Sequence, residues 1–295
     1  MGGVPAVRRG RGAQHQRCRP QARDLQRGRP HRDLPDADGL GAQPFRPARA
    51  GAVQLPGIVL RAGRVEAAPG TAFGAYGKIP GLGDFFRLSA PPGFVEPWDA
   101  FLQRTIIEAR AALGEGFDAA FMSAPIWRFT LAAGLAGPRP VMGVVMPSVD
   151  RVGRRFPLTL VVPLDERAAP AASHFREGPL FVRMETLALA MLDDGASRPA
   201  LEEGLAALTP PAPAPDPVLR ADAGTLVLSQ GQGLEGACAD VAGGLIAARH
   251  ARPSLWSTEV GGVPRLMVAE GLPGPREQVA LITLHAALWT EARPL

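Results

Sequence analysis

A chain of 295 residues with 46% hydrophobic content can bury a sizeable core and form one large domain or two smaller ones, which excludes a small stapled scaffold. Its two cysteines, Cys18 and Cys238, lie far apart without CxxC or Cys/His spacing, so neither a disulfide framework nor a zinc site is expected and a reducing, cytoplasmic setting fits. The formal charge of +4 is unevenly spread: residues 1–70 hold 13 Arg, no Lys, four Asp and one Glu, a balance of +8 that leaves −4 for the remainder, so the basic character belongs to the tail alone.

Residues 1–70 mix Arg, Pro, Gly, Ala and Gln without a period and with few large apolar residues, too little to offset the entropy of ordering. They are expected to be a disordered tail, or sequence translated upstream of the true start. A basic arm on nucleic acid or acidic lipid is the sharper alternative, but aromatic interleaving and a helical stripe are both missing. Arg8 and Arg9 are followed by no apolar stretch, which argues against a secretory or twin-arginine signal. The best apolar run is interrupted by Pro147, and residues 279–289 carry His285, so no segment is expected to span a bilayer. Neither nucleic acid nor membrane insertion is expected of the folded body.

From Phe73 the texture changes. Phe73 to Lys78 reads as a strand and Ile79 to Phe86 as a Gly/Pro loop with apolar anchors, in which Asp84 closes the turn. Lys78 is the only lysine in the chain; Ala72 and Ile79 stand where a phosphate loop needs Gly and Ser or Thr, so none is present. Phe94 to Leu113 is a helix, with Pro97 and Asp99 in its first turn, Gly114 closing it, and Trp98, Phe101, Leu102, Ile106, Ala109 and Leu113 on one apolar face. A short helix over Phe117 to Met122 and a strand over Ile126 to Leu131 follow.

Two short apolar runs come next, Val141 to Met146 and Phe156 to Val162. Both read as strands buried on both faces in the middle of a layered sheet. The turn between them gathers Asp150 with Arg151, Arg154 and Arg155. It is either a solvated hairpin connection in which Asp150 ties down an arginine, or a recognition loop whose guanidinium forks suit carboxylate or phosphate partners.

Ser173 to Leu192 and Arg198 to Leu208 are helical by apolar spacing, and the Leu180, Met184, Leu187, Met191 stripe reads as core. The Pro-rich stretch 210–217 is a stiff linker and a possible internal joint. A strand over Thr225 to Ser229 and a helix over Leu234 to Arg249 enclose Gly231, Gly233 and Gly236 in GxGxxG spacing. That spelling supports nucleotide binding only if a parallel strand and a ribose-binding acid follow; none follows at once, and a tight turn is the simpler role. Ser254 to Thr258 and Pro264 to Val268 read as final strands and Glu277 to Trp289 as a closing helix, with Trp256 and Trp289 as packing residues.

No nucleophile elbow, HExxH or Cys/His pair is present, and His174, His250 and His285 lack spaced partners. Ser173 beside His174 is the nearest thing to a dyad, but sequence neighbours rarely face one another, so Ser173 reads better as a helix cap. Adjacent acids at Asp165-Glu166, Asp193-Asp194 and Glu202-Glu203 read as solvated charge. Strands alternating with helices around a Val-rich centre predict an α/β fold, a three-layer α/β/α sandwich with a mixed sheet.

The pieces YGKIPGLGDFFR (76–87), FVEPWDAFLQ (94–103), APIWRFTLAAG (124–134), GPRPVMGVVMPSVDRVGRRFPLTL (137–160) and SLWSTEVGGVPRLMVAEGLP (254–273), in this order and spacing, resemble the TagF (ImpM) family of type VI secretion-associated proteins. The resemblance covers about residues 73–290, leaves the tail outside, and departs at Trp256-Ser257, where the family usually has Trp-Trp. It implies the same fold class. It also implies a non-enzymatic cytoplasmic regulator, without cofactor or metal, that represses assembly or firing of the secretion apparatus after translation by binding its forkhead-associated scaffold protein. On that reading the partner-facing surface comprises Asp84, Arg87, Asp150, Arg151 and Arg154, the charged members of the resembling loops. The alternative is a nucleotide-binding enzyme that uses the Gly231–Gly236 turn.

Overall fold

The structure, a computed structural model, describes residues 72–193, 195–212, 219–222, 224–228 and 233–291, which belong to one compact unit. The expectations for the tail, and for most of the Pro-rich joint, fall outside the described residues. A seven-stranded sheet forms the middle layer, built from β1 (Gly74–Gly77), β2 (Phe86–Leu88), β3 (Trp127–Leu131), β4 (Val141–Met146), β5 (Leu158–Pro163), β8 (Pro253–Val260) and β9 (Val263–Glu270) in the order β2-β1-β5-β4-β3-β8-β9. Two further strands, β6 (Arg220–Asp222) and β7 (Thr225–Val227), pair with each other and, among the described residues, with no other strand.

Every pairing in the large sheet is antiparallel, so the α/β sandwich holds while the expected mixed sheet does not. The reason lies in the connections: β3 to β4 to β5 and β8 to β9 are joined by turns too short for a crossover, which is what a parallel neighbour requires. Continuous burial of β4 and β5, with all twelve residues buried, therefore reflects helices on both faces rather than parallel pairing.

The two faces separate by residue parity, as strand geometry demands. On one side Met142, Val144, Met146, Leu158, Leu160 and Val162 meet α4 (Gly178–Ala190) and α5 (Arg198–Ala206). On the other, Val141, Val145, Val161, Phe129 and Trp256 meet α1 (Val95–Leu113) and α7 (Pro275–Ile282). Gly143 belongs to this second face, where a Cβ would come within 2.2 Å of the Leu160 carbonyl oxygen and 2.7 Å of the Phe129 ring; the missing side chain lets the ring lie over the strand.

The helix expected over Ser173 to Leu192 is two helices, α3 (Pro170–Arg176) and α4, broken at Glu177–Gly178 with Pro179 opening the second. The closing helix likewise divides into α7 and α8 (Leu288–Glu291). Strand β2 was not expected; it follows the Gly/Pro loop and pairs with β1. The short α2 (Phe117–Met122) sits against α1, and α6 (Gly233–Arg249) packs on α3, where a Cβ on Gly243 would lie 2.8 Å from Ala172.

Trp98 of α1 is the hub of the second face. Fully buried, it stacks at 6.0 Å and 7° on Trp256, lies 4.6 Å from Phe129, and donates its indole N–H to Thr159 Oγ1 at 2.9 Å. That bond satisfies the buried indole N–H within an aromatic cluster. Trp98→Ala is expected to cost about 3–5 kcal/mol of folding stability, measured as a fall in the urea midpoint with unchanged slope; a loss below about 1 kcal/mol would mean that the layer does not depend on this ring.

Candidate functional site

Two loops meet at one end of the sheet: residues 78–85 after β1, and residues 147–157 between β4 and β5. The second is a turn closed on itself, with Asp150 N–H donating to the Arg154 carbonyl (3.1 Å), Gly153 N–H to the Asp150 carbonyl (2.9 Å), and Gly153 in the left-handed region at φ 82°. Asp150 Oδ1 accepts from the backbone N–H of Val152 (3.0 Å) and Arg154 (2.9 Å), the Asx-type bonding that makes Asp a turn residue.

The other oxygen, Oδ2, receives two cations: Lys78 Nζ at 2.9 Å from the first loop and Arg154 Nε at 2.6 Å from its own. Lys78 and Asp150 are 3% and 2% exposed, so this is a buried pair whose stability depends on each charge having its partners. Burial alone would raise the Asp150 carboxyl; the bonds from Lys78, Arg154 and Val152 outweigh it and hold the group well below the ordinary carboxylate range. The loops are further tied by Arg151 N–H to the Leu82 carbonyl (3.0 Å) and Arg154 Nη2 to the Gly83 carbonyl (2.7 Å). Phe85 covers Lys78 Nζ at 4.5 Å and meets Phe156 edge-on at 4.7 Å.

The five residues expected on a partner surface therefore divide. Asp150 faces inward with both oxygens occupied; it organises the surface and is closed to outside contact and to work as a base. Asp84, Arg87, Arg151 and Arg154 are exposed. Asp84 accepts from Phe85 N–H at 2.8 Å, and Arg87 stands opposite Tyr76 in the β1–β2 pair. Within the chain, Arg154 is ion-paired through Asp150, while Asp84, Arg87 and Arg151 have no ion-pair partner among the described residues. The sequence reading does not pair Lys78 with Asp150; the place of this lysine directly after a buried strand is the signal that could have found it.

A second polar centre lies on the α4 side of the sheet. His174 of α3 is 4% exposed, with Nδ1 at 2.9 Å from Thr130 Oγ1 and Nε2 at 2.9 Å from Ser257 Oγ. Beside it Arg128 makes a two-pronged contact with Glu185 of α4, at 2.6 and 2.8 Å. Burial, reinforced by the Arg128 charge, depresses the imidazole to about 3. A histidine so weakly basic at neutral pH is a poor proton acceptor for a serine, so the pair with Ser257 ties helix to sheet rather than activating a nucleophile. Ser173 does not bond to its neighbour's ring. The sequence signal for this centre was the hydroxyl residues Thr130 and Ser257, which break apolar alternation on one face.

The Gly-rich turn lacks the context that a dinucleotide site needs. Gly231 and Gln232 fall outside the described residues; β7 before them pairs antiparallel with β6 outside the large sheet, and among the described residues no carboxyl end of a parallel strand faces the start of α6. Among the described residues no group of three or more His, Cys, Asp or Glu is placed to hold a metal, and no helix is long and apolar enough to cross a membrane.

Fold and site together define a class: an α/β/α protein with an antiparallel central sheet, whose buried charge cluster fixes the shape of two exposed basic and acidic loops. The family model described as the TagF N-terminal domain, type VI secretion system-associated, matches residues 74–208, a range that includes both loops and His174. The chain is also similar to the crystal structure of PA0076 from Pseudomonas aeruginosa PAO1, with 32% sequence identity and a TM-score of 0.62 over 76% of this chain and 98% of that one. No curated protein matches. The chain belongs to the TagF family and is a type VI secretion system-associated protein.

Asp150→Asn keeps the shape of the turn residue but leaves Lys78 and Arg154 without a counter-charge. The expected outcome is a lower melting temperature and faster tryptic cleavage after Arg151, Arg154 and Arg155 under native conditions; unchanged cleavage would show that the loops hold without the carboxylate. His174 has a folded pKa of about 3 against about 6.5 unfolded. Its contribution is thus complete above pH 6.5 and is lost as pH falls toward 3, by at most about 1.4 kcal/mol per pH unit. Denaturation from pH 7 to 4 should be steeper in pH for the wild type than for His174→Gln, and equal slopes would contradict the assignment.

Proposed function

We propose that this protein is a non-enzymatic cytoplasmic regulator that represses assembly or firing of the type VI secretion apparatus after translation, by binding the forkhead-associated scaffold protein of that system. Family membership supports the setting. The observation that carries the contact surface is the locked pair of loops: the buried Lys78–Asp150–Arg154 cluster ties the two loops together, so that Asp84, Arg151 and Arg154 present charge from a fixed backbone, next to Arg87 on strand β2. Charges held in place before encounter lose little entropy on binding and steer association with a partner of opposite sign. Asp150 acts from beneath this surface.

The test uses the full chain and the scaffold protein of the same bacterium. Arg87→Glu combined with Arg151→Glu reverses two exposed charges and is expected to leave the melting temperature within a few degrees of wild type. Capture of the scaffold should drop at least tenfold, and secretion should rise in cells carrying the variant. Capture and repression at wild-type levels would refute this surface, whereas a wild-type chain that fails to capture the scaffold would refute the partner.

A further inference from the structure

At one lateral edge of the sheet β9 is the last strand: one side is bonded to β8 along eight residue pairs, and on the other no strand lies beside it among the described residues. An open edge is a template for further pairing, and proteins guard against it with proline and charge. Here the guards stand at the ends, Pro264 and Arg265 at one and Glu270 at the other, while Leu266 to Ala269 carries neither; Leu266 is 48% exposed. Alongside runs a trough lined by Met267, Ala269, Leu272, Glu277 of α7 and Trp289 of α8.

We infer that this edge pairs with the same edge of a second copy of the chain, joining two sheets antiparallel about a two-fold axis. Such an axis stands perpendicular to the sheet and keeps each face on its own side, so a residue can oppose only one of the same parity. Centred on Met267, the pairing sets Leu266 opposite the second copy's Val268, Arg265 opposite its Ala269, and Pro264 opposite its Glu270. The uncharged window thus faces itself, and every charged residue falls opposite a neutral one. Arg265 lies on the Met267 face, the face that α7 covers, so it enters the second copy's trough over Ala269, on the side lined by Glu277.

Arg265 donates only to the carbonyl of Pro264, and neither it nor Glu277 has an ion-pair partner among the described residues of its own chain. The two-fold makes the Arg265–Glu277 contact twice. A foreign strand would have to bring its own cation to Glu277, whereas a second copy already carries one in register. This inference is independent of the scaffold protein proposed above.

Sedimentation equilibrium of the full chain from about 1 to 100 μM tests it, with association at this edge expected in the micromolar range. The expected mass at the upper end is twice the 31.0 kDa of one chain. Arg265→Glu and Glu277→Arg should each weaken dimerisation at least tenfold, and the double variant that exchanges the two charges should restore it, an outcome that mere loss of folding cannot give. A monomer at every concentration, leaving the edge to another protein's extended segment, would overturn the inference. So would a dimer indifferent to both reversals, or one that the exchange does not restore.

Discussion

The constraint on which the rest of the structure depends is the burial of β4 and β5 on both faces. Neighbouring strands occupy both lateral sides and helices cover both faces, so no charged side chain can leave these strands except at their ends. The connection between them must therefore carry its polar groups in a small volume, and it does so around a single carboxylate. Asp150 settles two backbone N–H groups and two cations, which converts a charged turn into a fixed object. Because one of those cations is Lys78, the loop after β1 is bound into the same arrangement, and the register of β1 on β5 is secured from the loop end as well as through the ladder.

The two polar centres do different work although both are buried. Around Asp150 the charges face outward once the central pair is satisfied, and the result is a shaped, charged surface. Around His174 the groups face inward: Thr130, Ser257 and the Arg128–Glu185 pair anchor α3 and α4 to β3 and β8. The first centre shapes a surface and the second fastens a layer. Arg176 of α3 adds an ion pair to the buried Asp240 of α6, extending that fastening to the outer helix.

Much of the architecture was legible in residue order because local patterns and tertiary burial agree. The β4 and β5 runs, the α1 stripe through Trp98 and Phe101, and the α4 stripe through Leu180 and Met184 are all where periodicity puts them. The burial pattern left strand direction open, since double-sided burial erases the alternation that distinguishes an antiparallel strand from a parallel one; the signal that was present is the shortness of the links joining β3, β4 and β5. The break between α3 and α4 was missed because the apolar spacing runs on through Glu177 and Gly178. At the candidate site, the turn chemistry of Asp150 was readable and its tie to an arginine was one of the two readings, but the buried Lys78 contact joins residues 72 positions apart. Long-range pairs of that kind leave no local trace. Ser257 acquires its meaning only from a histidine 83 positions away.

The burial of Lys78 has a consequence for the chemistry of the exterior. As the chain's only lysine, it places the single side-chain primary amine beneath Phe85 and against a carboxylate, while the outer cations are guanidinium groups. Acylation, carbamylation and isopeptide tagging all need an accessible amine, so in the folded molecule they find no lysine to react with, and an adduct at this position would report that the two loops had first come apart.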